Sequence, residues 1–225
     1  MNVPLLRDAP VFVDEKSAVI HAAAQKILAL AIQGELHVLV VSGGSTTPLV
    51  IRQVALSWNF NYMPILVVSD ERNINVVSEQ NAIQLADTLK STPLAIAPII
   101  SPRYNPDLRE TARKWSNKLL SIPDPDVALL SMADDGHIAS IFPGVISEAV
   151  SDSVEICRTS PKPPAERVSL SAAFLRKIPH RIAVVVGPDK ASSLRNVAAG
   201  KDLPITDFSP TQWLVDSSAY EASQR

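Results

Sequence analysis

Short, continuously apolar segments alternate along the chain with longer segments of helical periodicity. The apolar segments are clearest at 37–41, 65–68, 127–130 and 181–186. Runs of this length without polar interruption are typical of strands buried on both faces of a parallel sheet. Further strands are predicted at 153–157 and at 94–100, the second of which Pro98 interrupts.

The segments between these strands carry an apolar residue every three or four positions, as helices do. In residues 14–33 this stripe contains Val19, Ala23, Ile27 and Ala31. Asp14 is the expected N-cap of this helix, and Gly34 is its expected end. Other helices are predicted near 78–90, around Trp115 and Leu119, and from the last strand to Gly200.

Strands that alternate with helices predict an α/β fold. We expect a mainly parallel, open sheet with helices on both faces, in a modified Rossmann-like arrangement. No linker-like segment, low-complexity tract or internal repeat interrupts residues 1–225, so a single domain is expected.

Charge and cysteine content limit the classes of partner. The 225 residues include 21 lysines and arginines and 23 aspartates and glutamates, a net charge of −2. This balance argues against a nucleic acid partner, although a few local cations suffice for a small anion. The single cysteine, Cys157, excludes a disulfide framework and a cysteine-cluster metal site. Without a basic leader or a bilayer-spanning stretch, we expect a cytoplasmic protein that does not bind membranes.

Polar residues follow the predicted strands at their carboxyl ends, where parallel α/β sheets bind ligands. After the strand 37–41 the chain reads Ser-Gly-Gly-Ser-Thr-Thr-Pro. Gly43 and Gly44 let a ligand approach the main chain. The amides that open the next helix, with the hydroxyls of Ser45 and Thr46, suit an anion such as phosphate. An ordinary capped turn is the alternative.

Three consecutive charges, Asp70, Glu71 and Arg72, are predicted to form a turn after the strand 65–68. Charges at the end of a buried strand are costly unless they are paired or used. Arg72 could hold a phosphate through two parallel hydrogen bonds. Asp70 or Glu71 could orient it or bind substrate hydroxyls. The alternative is a surface charge cluster.

His137 is the best candidate for a general base, because neutral imidazole accepts a proton near physiological pH. It follows the strand 127–130 in the segment Asp-Asp-Gly-His. Asp135, two residues earlier, could orient the ring and stabilise the imidazolium. The other histidines are interpreted as structural: His21 on a helix, His37 opening a strand and His180 in a turn.

Lys190 ends the segment Gly-Pro-Asp-Lys after the last strand. A cation in the first turn of a helix opposes the helix dipole, which suggests a bound anion as its partner. An exposed, hydrated lysine is the alternative.

No metal-ligand spacing occurs in the sequence, so a site that activates water without a metal or cofactor is the simplest enzyme interpretation.

Together these segments resemble the 6-phosphogluconolactonase family, which belongs to a larger group with the glucosamine-6-phosphate deaminases. The resemblance covers most of the chain and rests on motifs in the same order at 42–46, 70–72, 135–144, 167–170 and 187–190. The deaminase motif continues after Ala139 with Phe-Asn-Glu-Pro, whereas this chain continues with Ser-Ile-Phe-Pro. Arg72 also favours the lactonase branch, since deaminases tend to carry tyrosine there.

The resemblance implies hydrolysis of 6-phospho-D-glucono-1,5-lactone to 6-phosphogluconate in the oxidative pentose phosphate pathway. It implies that His137 activates water with Asp135 beside it. It also implies that the 6-phosphate and sugar bind the turn at 43–46 together with Asp70, Arg72, Arg167 and Lys190. The expected partner is a small phosphosugar lactone, and the expected state is a monomer, with a dimer as the alternative.

The chain departs from the usual family pattern at Ser131-Met132-Ala133 instead of Gly-Met-Gly, at Gln80-Asn81-Ala82 instead of Ser-Asn-Tyr, and at Thr47 instead of proline.

Two other functions stay open. One is a deaminase-like isomerase in which His137 opens an amino sugar phosphate. The other is a non-catalytic protein that binds a sugar phosphate. A nucleotide-binding domain is disfavoured because neither nucleotide fingerprint is present.

Overall fold

The apolar runs of the sequence form the central strands of a large sheet. The computed structural model describes residues 5–224. Twelve strands form within these residues: Leu5–Leu6 (β1), Ala9–Asp14 (β2), Val38–Val41 (β3), Ile65–Val68 (β4), Asp70–Arg72 (β5), Ile99–Ile100 (β6), Val127–Ser131 (β7), Glu148–Ala149 (β8), Val154–Cys157 (β9), Arg167–Leu170 (β10), His180–Val185 (β11) and Gln212–Asp216 (β12).

Helices fill most of the connections between these strands. They are Lys16–Ile32 (α1), Thr47–Leu56 (α2), Asn81–Leu89 (α3), Leu108–Leu119 (α4), Ala172–Lys177 (α5), Ala191–Ala198 (α6), Pro204–Phe208 (α7) and Ser217–Ser223 (α8). Single 3₁₀ turns precede α3 and α6, at Val77–Glu79 and Pro188–Lys190. No helix within 5–224 is both long enough and apolar enough to cross a bilayer.

The large sheet has the strand order β1-β2-β12-β11-β7-β3-β4-β6. Every pair from β2 to β6 is parallel, and β1 joins the β2 edge antiparallel. All residues of β3 are buried, as are Val127–Leu130 of β7. Because consecutive strand residues point to opposite faces, both faces of the sheet are covered. The predicted α/β class with a mainly parallel sheet is confirmed.

A second, antiparallel sheet of order β5-β10-β9-β8 begins where β4 ends. The residue between the two sheets is Ser69, whose N–H donates to the Val41 carbonyl of the large sheet. Its own carbonyl accepts from Leu170 N–H in the small sheet. The small sheet therefore lies at the carboxyl ends of the parallel strands.

This second sheet corrects the prediction that residues 70–72 form a turn. Asp70, Glu71 and Arg72 are a strand, paired in register with Ser169, Val168 and Arg167. The prediction failed because three charged residues do not resemble a strand. The backbone pairing with β10 satisfies their main-chain groups all the same.

Other local predictions also need correction. Asp14 ends β2 and is not the N-cap of α1; Glu15 occupies that position without a side-chain cap. The strand predicted at 94–100 shrinks to Ile99–Ile100, because the preceding residues form turns. His180 opens β11 and does not lie in a turn, since its main-chain pairing with Val127 extends the strand.

Candidate active site

The predicted site residues line one cavity of about 490 Å³ at the carboxyl ends of β3, β7 and β11. Nine of them contribute to its wall: Gly43, Gly44, Ser45, Thr46, Asp70, Arg72, His137, Arg167 and Lys190. The tenth, Asp135, lies behind His137 and contacts its ring. The parallel sheet explains the convergence of the residues that follow β3, β7 and β11, because its strands all end at the same edge. Asp70, Arg72 and Arg167 reach the cavity from the small sheet.

His137 and Asp135 form a hydrogen-bonded pair. The Nδ1 atom of His137 lies 2.6 Å from Oδ1 of Asp135, and the His137 backbone N–H donates to the same oxygen at 3.0 Å. Because a carboxylate only accepts, Nδ1 carries the proton and Nε2 is left as the acceptor. The histidine side chain is 15% exposed, and its ring packs on Phe142 with centroids 4.4 Å apart.

The environment of this pair keeps the imidazole neutral and the carboxylate charged. Burial lowers the pKa of His137, and this outweighs the opposing effect of the Asp135 charge. Burial acts to raise the pKa of Asp135, but its hydrogen bonds with His137 bring the pKa below the usual value. The pair therefore combines a free base with a partner that can stabilise its protonated form.

The loop that presents His137 is fixed from both sides. Ala133 N–H donates to the His137 carbonyl at 3.1 Å, which closes the loop. Gly136 has a φ of +84°, and a Cβ at this position would lie 2.6 Å from the side chain of Leu203. Ser193 of α6 donates from Oγ to the Asp134 carbonyl at 2.6 Å. The base is thus held by packing and is not on a free loop.

The turn before α2 presents unpaired main-chain donors to the cavity. The amides of Gly43, Gly44 and Ser45 make no hydrogen bond with any residue that the structure describes. Thr46 is the N-cap of α2, and its side chain makes no capping hydrogen bond. Free amides in a turn that leads into a helix can donate to an anion, which the positive end of the helix dipole also attracts.

Asn81 of α3 packs against this turn. A Cβ at Gly43 would lie 2.4 Å from Oδ1 of Asn81, so only glycine fits there. The Asn81 side chain donates from Nδ2 to the Asp70 carbonyl at 2.9 Å. This contact links the turn to β5.

The charged residues of β5 have separate partners. Asp70 is buried, and its two carboxylate oxygens accept from Ser69 Oγ at 2.8 Å and Ser140 Oγ at 2.6 Å. Glu71 points away from the cavity and accepts from the backbone N–H groups of Arg72, Asn81 and Ala82. It therefore caps α3. Of the two alternatives, Asp70 or Glu71, only Asp70 lines the cavity, so the binding of substrate hydroxyls stays a prediction for Asp70 alone.

Burial raises the pKa of Glu71 to about 7, against the lowering effect of its backbone hydrogen bonds. The nearby Asp70 charge adds to the increase. Glu71 therefore changes its protonation state near neutral pH although it lies outside the cavity.

The cations approach the cavity from two directions. Arg72 and Arg167 stand directly opposite each other in the pairing of β5 with β10. Arg72 donates from Nη1 to the Glu79 carbonyl, and its buried Nε has no partner among the described residues. Lys190, in the 3₁₀ turn before α6, donates to Asp189 at 2.6 Å.

Arg167 is held more tightly. Its guanidinium donates to the carbonyls of Lys162, Pro163 and Pro164 at distances of 2.9–3.0 Å. Burial lowers its pKa, against the opposing effect of the Asp70 charge. Arg167 therefore fixes the proline-rich loop while it also lines the cavity.

These features can be compared with those of known proteins. A family model described as glucosamine-6-phosphate isomerases/6-phosphogluconolactonase matches residues 14–216. The chain belongs to this family. Curated relatives include the 6-phosphogluconolactonase of Pseudomonas putida, 29% identical over 201 residues (84% of this chain, 82% of the relative). The 6-phosphogluconolactonase of Mycobacterium leprae is 28% identical over 243 aligned positions (93% and 95%).

Solved structures share the fold of this family member. The 6-phosphogluconolactonase of Thermotoga maritima has a TM-score of 0.79 and 22% identity, with 92% of this chain and 99% of that one covered. That of Trypanosoma brucei has a TM-score of 0.79 and 21% identity, with 95% and 98% covered. A monomeric glucosamine-6-phosphate deaminase has a TM-score of 0.78 and 18% identity, with 94% and 99% covered. At these identities the structures establish the fold alone.

The cavity residues that were not predicted as site residues include Asn81, Ser131 and Lys162. Ser131 Oγ lies 3.4 Å from Ser42 Oγ, which is also 2.9 Å from Thr47 Oγ1. Thr47 and Ser131, two of the departures from the family pattern, therefore both contact the Ser42 hydroxyl. Lys162 lies in a Pro-Lys-Pro-Pro segment, whose prolines restrict the main chain. Its charge within that rigid segment was the signal available in the sequence.

No group of three or more His, Cys, Asp or Glu residues within 5–224 is placed to hold a metal ion.

Proposed function

We propose that this chain is a 6-phosphogluconolactonase that hydrolyses 6-phospho-D-glucono-1,5-lactone to 6-phosphogluconate in the oxidative pentose phosphate pathway. The observation that carries the proposal is the His137–Asp135 pair in a cavity whose wall includes Arg72, Arg167 and Lys190. A base beside cations suits an uncharged ester that is attached to a phosphate. Family membership and the names of the curated relatives support the same reaction.

The phosphate end of the substrate is assigned to the cationic wall. Arg72 and Arg167 are opposed across a strand pair, an arrangement that favours a shared anion. Lys190 and the free amides at 43–45 complete the set of donors. Asp70, whose carboxylate is held by Ser69 and Ser140, is assigned to the substrate hydroxyls. Anchoring at this end orients the lactone carbonyl toward His137.

The hydrolysis then needs one base and one water molecule. His137 Nε2 takes a proton from water, and the water oxygen forms a bond to C1. The imidazolium is stabilised by Asp135. As the C1–O5 bond breaks, the ring oxygen takes the proton from Nε2, which leaves a hydroxyl on C5 and a carboxylic acid at C1. The acid then releases its proton to solvent and becomes the carboxylate of the product. The base is restored at the end of the cycle.

We place the enzyme in the cytoplasm as a monomer that is formed by one domain over residues 1–225. Its partner is the phosphosugar lactone, without a nucleic acid or a membrane. The single family match over 14–216 supports one functional unit.

Lactone hydrolysis above the spontaneous rate tests the function. The lactone is generated in situ, and the wild type is compared with His137→Ala and with His21→Ala, an exposed histidine on α1. The wild type and His21→Ala should accelerate hydrolysis, and His137→Ala should lose about 10²–10⁴ in rate.

Other outcomes would select another function. A folded wild type without hydrolysis that is stabilised by 6-phosphogluconate would be a sugar-phosphate-binding protein. Release of ammonia from glucosamine 6-phosphate would indicate the deaminase. Full activity of His137→Ala would overturn the assignment of the base.

A further inference from the structure

Lys162 is a cavity residue with a fixed main chain and a loosely held side chain. Its carbonyl accepts from Ser160 Oγ at 2.7 Å and from Arg167 Nη2 at 3.0 Å. Its N–H donates to Ser160 Oγ at 3.2 Å. The backbone position of the lysine is therefore set by the same loop contacts that hold Arg167.

The Lys162 side chain makes one ion pair. Nζ lies 2.5 Å from Oδ1 of Asp134, and the two side chains are 45% and 53% exposed. Exposed pairs of this kind contribute little to stability, because water solvates both charges well. The ammonium can therefore exchange Asp134 for a ligand oxygen at small cost.

The pair lies beside the proposed base. Asp134 precedes Asp135, whose carboxylate binds the His137 ring, and Lys162 and His137 both line the cavity. The Lys162 charge acts on both members of the dyad: it adds to the lowering of the His137 pKa, which burial dominates, and to that of Asp135. The ammonium of Lys162 is therefore close enough to the dyad to act on it, although its main chain is held by Arg167.

We propose that Lys162 binds the C1 end of the substrate. Its ammonium would leave Asp134 and donate to the carbonyl oxygen of the lactone and, after hydrolysis, to the carboxylate of the product. This inference rests on the proposed function, because it assumes that C1 lies at His137. The reaction turns the neutral ester at C1 into a carboxylate, so a cation near C1 would bind the product more strongly than the substrate. The phosphate end already has Arg72, Arg167 and Lys190.

Two ligands that differ at C1 separate this role from phosphate binding. 6-Phosphogluconate carries a C1 carboxylate, whereas glucitol 6-phosphate has the same chain and phosphate with a hydroxyl at C1. Binding of each is measured by titration calorimetry to the wild type, Lys162→Met and Lys90→Met. Lys90 is the matched control, since its ammonium also pairs with one exposed carboxylate, Asp87, at 2.6 Å and lies outside the cavity.

Lys162→Met should weaken 6-phosphogluconate binding about tenfold and leave glucitol 6-phosphate within about twofold. Lys90→Met should change neither. Equal weakening of both ligands would assign Lys162 to the phosphate and overturn the proposal, as would no weakening of either. A wild type that binds neither ligand would instead contradict the proposed function itself.

Asp134→Asn supplies a second, opposite test. Without its carboxylate partner Lys162 is free for the ligand, so 6-phosphogluconate should bind about two- to threefold more tightly. The gain should vanish in the Asp134→Asn, Lys162→Met double variant. A gain that persists without Lys162, or no gain in a folded Asp134→Asn protein, would contradict the exchange of partners.

Discussion

Arg72 and Arg167 occupy directly opposed positions on β5 and β10, with both guanidinium groups at the wall of one cavity. Like charges in this arrangement repel each other. The repulsion is tolerated because main-chain carbonyls accept from each side chain, those of Lys162, Pro163 and Pro164 for Arg167 and that of Glu79 for Arg72. An anion between the two arginines would remove the repulsion, so we expect them to act together in binding.

Removal of one arginine should therefore affect binding more than chemistry. Arg72→Gln is expected to raise KM about tenfold, because it removes a charge-assisted hydrogen bond to the phosphate. The kcat of the variant should stay within about threefold of the wild-type value. Steady-state kinetics on the lactone measure both constants. Arg113→Gln, which removes an exposed arginine paired with Glu110, is the control and should change neither. A loss confined to kcat would place Arg72 at the reacting end.

Asp135→Asn tests the partner of the base. The rate should fall as the pH drops through the pKa of His137, because the imidazolium cannot accept a proton. Burial sets that pKa below its usual value, and the Asp135 charge acts to raise it. Without this charge the acidic limb of the pH–rate profile should move to still lower pH, and the plateau should fall about a hundredfold. An unchanged limb would show that Asp135 does not interact with the base during turnover.

Gly43→Ala should disturb the site through Asn81. The added Cβ would lie 2.4 Å from the Asn81 Oδ1 atom, and overpacking of this kind costs about 1–3 kcal/mol of stability. Chemical denaturation measures the loss. Combination with Asn81→Ala removes the clash and should recover part of the stability. Gly43 does not have a positive φ, so the loss would report the contact with Asn81 and not backbone strain.

Glu71 should make the stability of the protein depend on pH around neutrality. Its pKa rises from 4.5 to about 7 in the folded state, so the folded protein binds more protons than the unfolded chain between these values. Stability is then greatest below pH 4.5 as far as this group is concerned. It falls by about 3 kcal/mol as the pH rises through 7.

Denaturation of Glu71→Gln across this range checks the titration, because the variant should lose the dependence on pH whatever its absolute stability. Glu79→Gln, at an exposed glutamate of the neighbouring 3₁₀ turn, should retain it. The same slope in the wild type and in Glu71→Gln would assign the effect to another group.

The sequence predicted the parts of this molecule that depend on local pattern. The strands β3, β4, β7 and β11 are each built around a continuous apolar run, which is typical of a parallel sheet covered on both faces. That sheet type in turn brings the residues after each strand together. This is why the turn at 43–46, His137 and Lys190 were predicted to share a site.

Features that depend on distant contacts were not predicted. The strand β5 consists of three charged residues, and its pairing partner β10 lies about a hundred positions along the chain. Lys162 and Asn81 reach the cavity from a loop and from a helix start, neither of which follows a parallel strand. The capping role of Glu71 likewise requires α3 to be in place, and no spacing in the sequence shows it.

The close approach of Gly43 to Asn81 also limits which substrates the cavity can be made to accept. On this side the wall is main chain packed on a buried amide, so no shorter side chain can widen it. Redesign for bulkier lactones must therefore begin at side chains that end in the cavity, such as Met132 and Val186. Phe142 is less suitable, because its ring supports that of His137.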